Sequence, residues 1–316
     1  MSALAFTILA VLLVGPAPAL LARARWPLRA PRATVVLWQA ITVAAVLSAF
    51  SAGIAIASRL LMPGADGRPT TSIVGGIGRL GFPLWGLSVG VLVLTVLIGA
   101  RLAVAVLRVA IGTRRRRAHH RMLVDLVGIG HAEVPLSRCA RSRDLRVLGV
   151  AQPLAYCLPG VRSRVVVSQG TLSSLTEAEI AAILSHERAH LRARHDLVLE
   201  AFTAVHAAFP RLVRSASALD AVQLLVELLA DDAAVRAAGR APLARALVTC
   251  ASGAAPSGAL AAGGPTTLLR VRRLAGRGNS VLLSAAAYLA AAAVLVVPTV
   301  ALAVPWLVEL HRLFTA

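Results

Sequence analysis

Four stretches of this sequence run without a charged side chain for long enough to cross a lipid bilayer: residues 2–21, 33–58, 80–100 and 281–308. A spanning helix needs about 20 apolar residues, because every backbone polar group in the hydrocarbon must be satisfied within the helix. The third stretch is expected to continue as helix past Arg101 and Arg108 to about residue 111, with the arginines snorkelling or facing a neighbouring span. Pro298 and Pro305 can kink the last span without preventing insertion. Residues 17–19 loosely resemble a signal-peptide cleavage site. With no basic residue ahead of the apolar run, the first stretch reads instead as an uncleaved anchor. A chain that is 58% hydrophobic and 15% charged agrees with a membrane protein rather than a soluble one.

The basic residues, 33 in all and every one an arginine, leave a formal net charge of +19. Their placement decides what that charge is for. Arg23, Arg25, Arg29 and Arg32 follow the first span, Arg114–Arg117 and Arg121 follow the third, and Arg270, Arg272, Arg273 and Arg277 precede the fourth. The opposite side holds Arg59, Arg68 and Arg79 around Asp66, and Arg312 beside Glu309. The positive-inside bias therefore predicts both termini outside and residues 122–280 in the cytoplasm. Nucleic acid is not an expected partner, since no recognised binding motif accompanies the charge and only four Trp and two Tyr are present. The lipid bilayer is an expected one. Cys139, Cys157 and Cys250 are widely spaced and form no C-x-x-C pair, so they read as buried small residues.

The resulting expectation is a mainly α membrane protein. Four transmembrane helices, three N-terminal and one C-terminal, surround a cytoplasmic α+β zincin-like domain with a small antiparallel sheet. Residues 1–121 carry the first three spans (about 2–21, 33–58 and 80–111) with basic flanks. Residues 122–280 form the domain, 281–308 the fourth span and 309–316 a short external tail. Strand-like runs at 145–148, 154–157 and 165–167 are separated by turns at Gln152-Pro153 and Pro159-Gly160. A helix then opens on Thr176-Glu177-Ala178-Glu179, a capping box, and continues through Ile180, Ile183, Leu184 and Leu191 at helical spacing. Further helices are expected at 197–209 and 219–238, and a loose loop at 243–264.

The first of those helices carries His186-Glu187-Arg188-Ala189-His190. Histidines four apart project from one helix face, where both imidazoles can reach one zinc ion. Glu187, adjacent to the first, is placed to take a proton from an activated water. A solvated histidine pair is the alternative. Catalytic zinc needs a third protein ligand, and Glu227, in Glu227-Leu228-Leu229-Ala230-Asp231, is the candidate. Asp231, one turn on, could accept a hydrogen bond from a ligand imidazole, or form a solvated surface pair with Asp232. The sheet edge at Ala155-Tyr156 could hold an extended substrate by strand addition, although a buried sheet position suits Tyr156 as well. Tyr156, His195 and His206 are the open options for an oxyanion donor. His195 and Asp196 otherwise read as a helix-end cation and a solvated acid, and His119, His120 and His131 as part of the basic boundary.

H-E-x-x-H followed by E-x-x-A-D resembles the gluzincin membrane peptidases. The three-plus-one arrangement of spans is similar to that of the antirepressor (BlaR/MecR-type) metallopeptidases. So are Val165-Val166-Val167-Ser168-Gln169-Gly170 and the segment Leu269-Arg270-Val271-Arg272-Arg273-Leu274. CAAX-prenyl-protease and heat-shock membrane peptidases share the metal motifs with a different span arrangement. The resemblance implies a zinc endopeptidase with His186, His190 and Glu227 as ligands, Glu187 as base and Asp231 behind a ligand. It also implies a protein or peptide substrate, with a transcriptional repressor as one option. Members that sense β-lactams carry a penicillin-binding domain after the last span; here residues 309–316 follow, so direct sensing is not expected. A catalytically silent signalling scaffold and a quality-control protease are the alternative functions.

Overall fold

The computed structural model describes residues 2–63, 69–71, 76–130, 144–210, 215–251, 260–261, 266–276, 278–305, 307–308 and 311. Asp66, Arg68, His131, Cys139, Arg277 and nearly all of the tail lie outside these, as do residues 252–259 and 262–265 of the expected loop.

Helices α1 (Ser2–Val14) and α2 (Pro16–Arg23), broken at Gly15, together make the first membrane-length stretch. Helix α3 (Pro31–Ala57) is the second. After a short hairpin of β1 (Leu61–Pro63) and β2 (Pro69–Thr71), α4 runs over Gly76–Val127 with a kink at Gly81, whose φ of 73° suits a residue without a Cβ. The run Leu80–Val127 continues well past residue 111 and is about 70 Å long at 1.5 Å per residue. A hydrocarbon core is about 30 Å thick, and the arginine-rich end of α4 packs on α7 through Arg117 and on the sheet through Val124. The last membrane-length stretch begins at α11 (Val281–Pro298). Among the described residues, four helices are thus long and apolar enough to cross a membrane.

Between α4 and α11 lie β3 (Ile129–Gly130), β4 (Leu145–Leu148), β5 (Ala155–Leu158), β6 (Arg164–Ser168) and helix α5 (Gln169–Ser174). Helices α6 (Glu177–Arg192), α7 (His195–Ala208), α8 (Ser215–Ala238) and α9 (Arg240–Cys250) follow, then β7 (Leu260–Ala261) and α10 (Thr267–Ala275). The sheet, in order β3-β4-β6-β5-β7, is mixed rather than antiparallel. β6 returns between β4 and β5, which makes it parallel to β4 and antiparallel to β5. Short connections suggest hairpins, but β5 steps past the place that β6 later fills. The 243–264 loop expectation also fails in its first part. Leu243, Ala246, Leu247 and Cys250 recur at helical spacing and bury α9 against α6 and the sheet.

The capping box at the start of α6 forms, with the Thr176 backbone N–H donating to Glu179 Oε2 at 2.9 Å. Two cores hold α6 and α8 in place. Val165, Val167, Ile183, Leu184 and Leu247 join the sheet to α6 and α9. Val222, Leu225, Val226 and Leu228 of α8 pack with Trp38 and Ile41 of α3 and with Phe202 of α7. The helix carrying Glu227 therefore rests directly on a membrane-length helix.

Candidate metal centre

One face of α6 presents His186 and His190 inward, with their Nε2 atoms 3.2 Å apart and both rings buried. From α8, Glu227 brings Oε2 to 3.4 Å from His186 Nε2 and Oε1 to 3.5 Å from His190 Nε2. These three side chains could hold a metal ion. A tetrahedral centre with bonds of about 2.0–2.1 Å places neighbouring donors about 3.3 Å apart. The three observed separations lie close to that edge, with Glu227 turning a different oxygen to each histidine, so the donor set suits a zinc-like ion.

Around the three donors stands a ring of buried partners. Asp231, one turn beyond Glu227, lies with Oδ1 3.0 Å from His186 Nδ1, a charge contact that favours the ring orientation with Nε2 toward the centre. Arg270 of α10 reaches in from a third direction. Its Nη2 and Nε donate to the two Asp231 oxygens at 2.6 and 2.9 Å, and Nη1 lies 2.9 Å from Glu227 Oε2. His195 sets Nδ1 3.1 Å from His190 Nδ1. It gets there because Arg194 adopts a left-handed conformation (φ 52°, ψ 41°), which ends α6 and starts α7 within a single tight turn.

Glu187 is completely buried, and among the described residues neither carboxylate oxygen has a hydrogen-bond partner. Burial raises its pKa to about 7, against the pull of the neighbouring His186. Burial opposes the charge on His186 as well, but the Asp231 and Glu227 carboxylates outweigh it and lift His186 to about 9. At His190 and His195 burial outweighs the pull of Glu227 and lowers them to about 3 and about 4. Burial alone would raise Asp231; Arg270 and His186 instead hold it well below the ordinary carboxylate range.

The structure thus brings His186, Glu187, His190, Glu227 and Asp231 into one cluster. Ala155 and Tyr156 stand apart from it. Ala155 joins the α6 side of the sheet, whereas Tyr156 packs on the other face with Val124 and Val166, its hydroxyl 2.9 Å from His120 Nε2. The outer edge of β5 is also paired: Tyr156 and Cys157 lie opposite Ala261 and Leu260 of β7. His195 and Asp196 are buried rather than solvated, and Asp196 accepts from Arg117 of α4 at 3.1 Å. Asp232 binds Arg273 at 2.8 Å instead of pairing with Asp231. His206 lies on α7, about three turns beyond His195.

Arg270 is the participant that sequence reasoning missed. It sits in a run of arginines before a span, where positive charge is expected on topological grounds alone. Its spacing from Leu274, one helical turn away and also buried, was the available signal of an inward-facing position.

Residues 136–278 match the model of Peptidase family M48, a family of metallopeptidases. The match covers somewhat under half of the chain and includes every residue of the cluster, and it supports a metallopeptidase of that family. No curated protein and no solved structure matches the chain.

Proposed function

We propose that this protein is a membrane-anchored, zinc-dependent endopeptidase whose zinc ligands are His186, His190 and Glu227. The observation that carries the reading is the convergence of His186, His190 and Glu227 from α6 and α8, whose nearest nitrogen and oxygen atoms lie 3.2–3.5 Å apart, with an unpartnered buried carboxylate beside them. Zinc, when bound, supplies the Lewis acidity that activates water and polarises a scissile carbonyl. Glu187 accepts the proton of the attacking water and delivers it to the leaving nitrogen, and its burial raises its proton affinity for that work. Asp231 holds His186 in the tautomer that presents Nε2, and His195 does the corresponding work at His190. Arg270 neutralises Asp231 and Glu227, which would otherwise repel each other in a buried site. An extended substrate adds at the β5 side of the sheet near Ala155-Tyr156, where β7 now pairs and must yield or serve as the neighbouring strand.

The arginine bias supports a cytoplasmic site with both termini external, and the likeness to the antirepressor peptidases supports a bacterial membrane. The substrate is then a cytoplasmic protein or the cytosolic end of a membrane protein. Regulatory cleavage of a transcriptional repressor rests on the likeness to the antirepressor peptidases.

Purified full-length protein should hold about one zinc per chain and cleave casein or itself. Glu187→Gln should lower that rate by about 100-fold or more with zinc retained. Equal rates in the two proteins would overturn the catalytic assignment, and a zinc-free protein unaffected by His186→Ala would overturn the site.

A further inference from the structure

A cavity of about 810 Å³ lies between α6, α8, the start of α7 and the first turns of α3 and α11; its wall includes His195 but none of the three proposed metal ligands. Three arginines line it: Arg32 from the first turn of α3, Arg192 from the last turn of α6 and Arg236 from the last turn of α8. Among the described residues none of the three has an acidic partner. The acid in the wall, Asp232, is already bound by Arg273 and by Asn279, each at 2.8 Å. Three exposed arginines in the wall of one cavity, none with an acidic partner among the described residues, favour an anion, and their forked N–H groups suit phosphate oxygens.

Position narrows the choice of anion. Both α3 and α11 begin at this cavity, and both are membrane-length helices of mean hydropathy 2.1 and 2.3. The cavity therefore stands at the level where headgroups meet hydrocarbon. Val35 and Val36, one turn into α3, line its membrane side, while Ser284 adds a hydroxyl from α11. A charged roof over an apolar floor fits an amphiphile better than a free ion or a peptide. We infer that this cavity binds the phosphate headgroup of an anionic phospholipid, with its acyl chains running along α3. The bound lipid would tie the last turn of the metal-site helix α6 to the bilayer surface. The inference rests on α3 and α11 crossing the membrane, which is tested separately by whether only detergent extracts the protein.

Native mass spectrometry of the full chain in neutral detergent, titrated with dioctanoyl phosphatidylglycerol or phosphatidylcholine, tests the inference. Phosphatidylglycerol should bind and phosphatidylcholine should bind far more weakly. Each arginine near a membrane surface contributes about fivefold, so Arg32→Gln, Arg192→Gln and Arg236→Gln together should weaken binding roughly 100-fold. Removing the same charge elsewhere, by Arg114→Gln, Arg115→Gln and Arg162→Gln, should leave binding close to wild type. Equal losses in the two triple variants would show diffuse charge attraction and overturn the site. So would equal affinity for the two lipids, displacement by inorganic phosphate at equal concentration, or preferential binding of a poly-glutamate peptide. If the cavity triple variant does not fold, Arg236→Gln alone should still cost about fivefold, and no loss would refute the inference.

Discussion

Glu187→Gln should stabilise the metal-free protein above neutral pH while abolishing catalysis. The Glu187 carboxyl is buried without a hydrogen-bond partner and its pKa is raised from 4.5 to about 7. The folded chain therefore binds this proton more tightly than the unfolded chain. Below about pH 4.5 the group is protonated in both states and costs nothing. As the pH rises from about 4.5 to about 7 the unfolded carboxyl ionises first, and stability falls. Above about 7 the full difference applies, roughly 3 kcal/mol at about 1.4 kcal/mol per tenfold in proton affinity. Gln keeps the shape and removes the charge, so the variant should be more stable than wild type by about that amount at pH 8 and equal to it at pH 4. The assay is urea unfolding in mild detergent with a chelator, read by pulse proteolysis at the two pH values. A difference that is the same at pH 4 and pH 8, or a variant less stable at pH 8, would refute the reasoning.

Asp231→Asn should weaken zinc binding about 10- to 100-fold in competition with a chromophoric chelator, because His186 loses the carboxylate that orients and polarises it. Unchanged affinity would mean that Asp231 serves only Arg270. Arg270→Ala strips the guanidinium from Asp231 and Glu227, leaving only histidine contacts, and should destabilise the chelated protein by about 3 kcal/mol, measured by the same unfolding assay. A loss within 1 kcal/mol would contradict the buried ion-pair geometry. At Gly170 an added Cβ would overlap the Ala151 carbonyl, so Gly170→Ala should cost roughly 1–3 kcal/mol, whereas Gly149→Ala meets open space and should be close to neutral. Comparable unfolding midpoints for the two alanine variants would count against that packing.

The clustering of the His-Glu motif on α6 was legible because its geometry is local. Two histidines and a glutamate within five residues of one helix carry their relative geometry with them, and the capping box ahead of them marks where that helix starts. Glu227 and Asp231 were legible for the same reason, as an i, i+4 pair on a second helix. The seating of the second helix is a different matter. It depends on Val222, Val226 and Leu228 of α8 packing with Trp38 and Ile41 of α3, contacts nearly 200 residues apart that no local pattern encodes.

Local rules also explain the errors. Charge near a span is normally topological, so Arg270 was absorbed into that explanation. Its burial between Asp231 and Glu227 exists only once α10 folds back across α8. His195 looked like a helix-end cation because the left-handed turn at Arg194, which swings it onto His190, has no glycine to announce it. The mixed sheet arises because β6 inserts between two strands that precede it, an ordering that alternation along each strand leaves open. The sequence by itself determined the four membrane-length helices, the motif helix and the residue types of the site, since these follow from composition, period and spacing along one element. Tertiary structure alone decided which charges are buried, which partners hold the ligands and which strand covers the β5 edge, because those follow from contacts between elements distant in the chain.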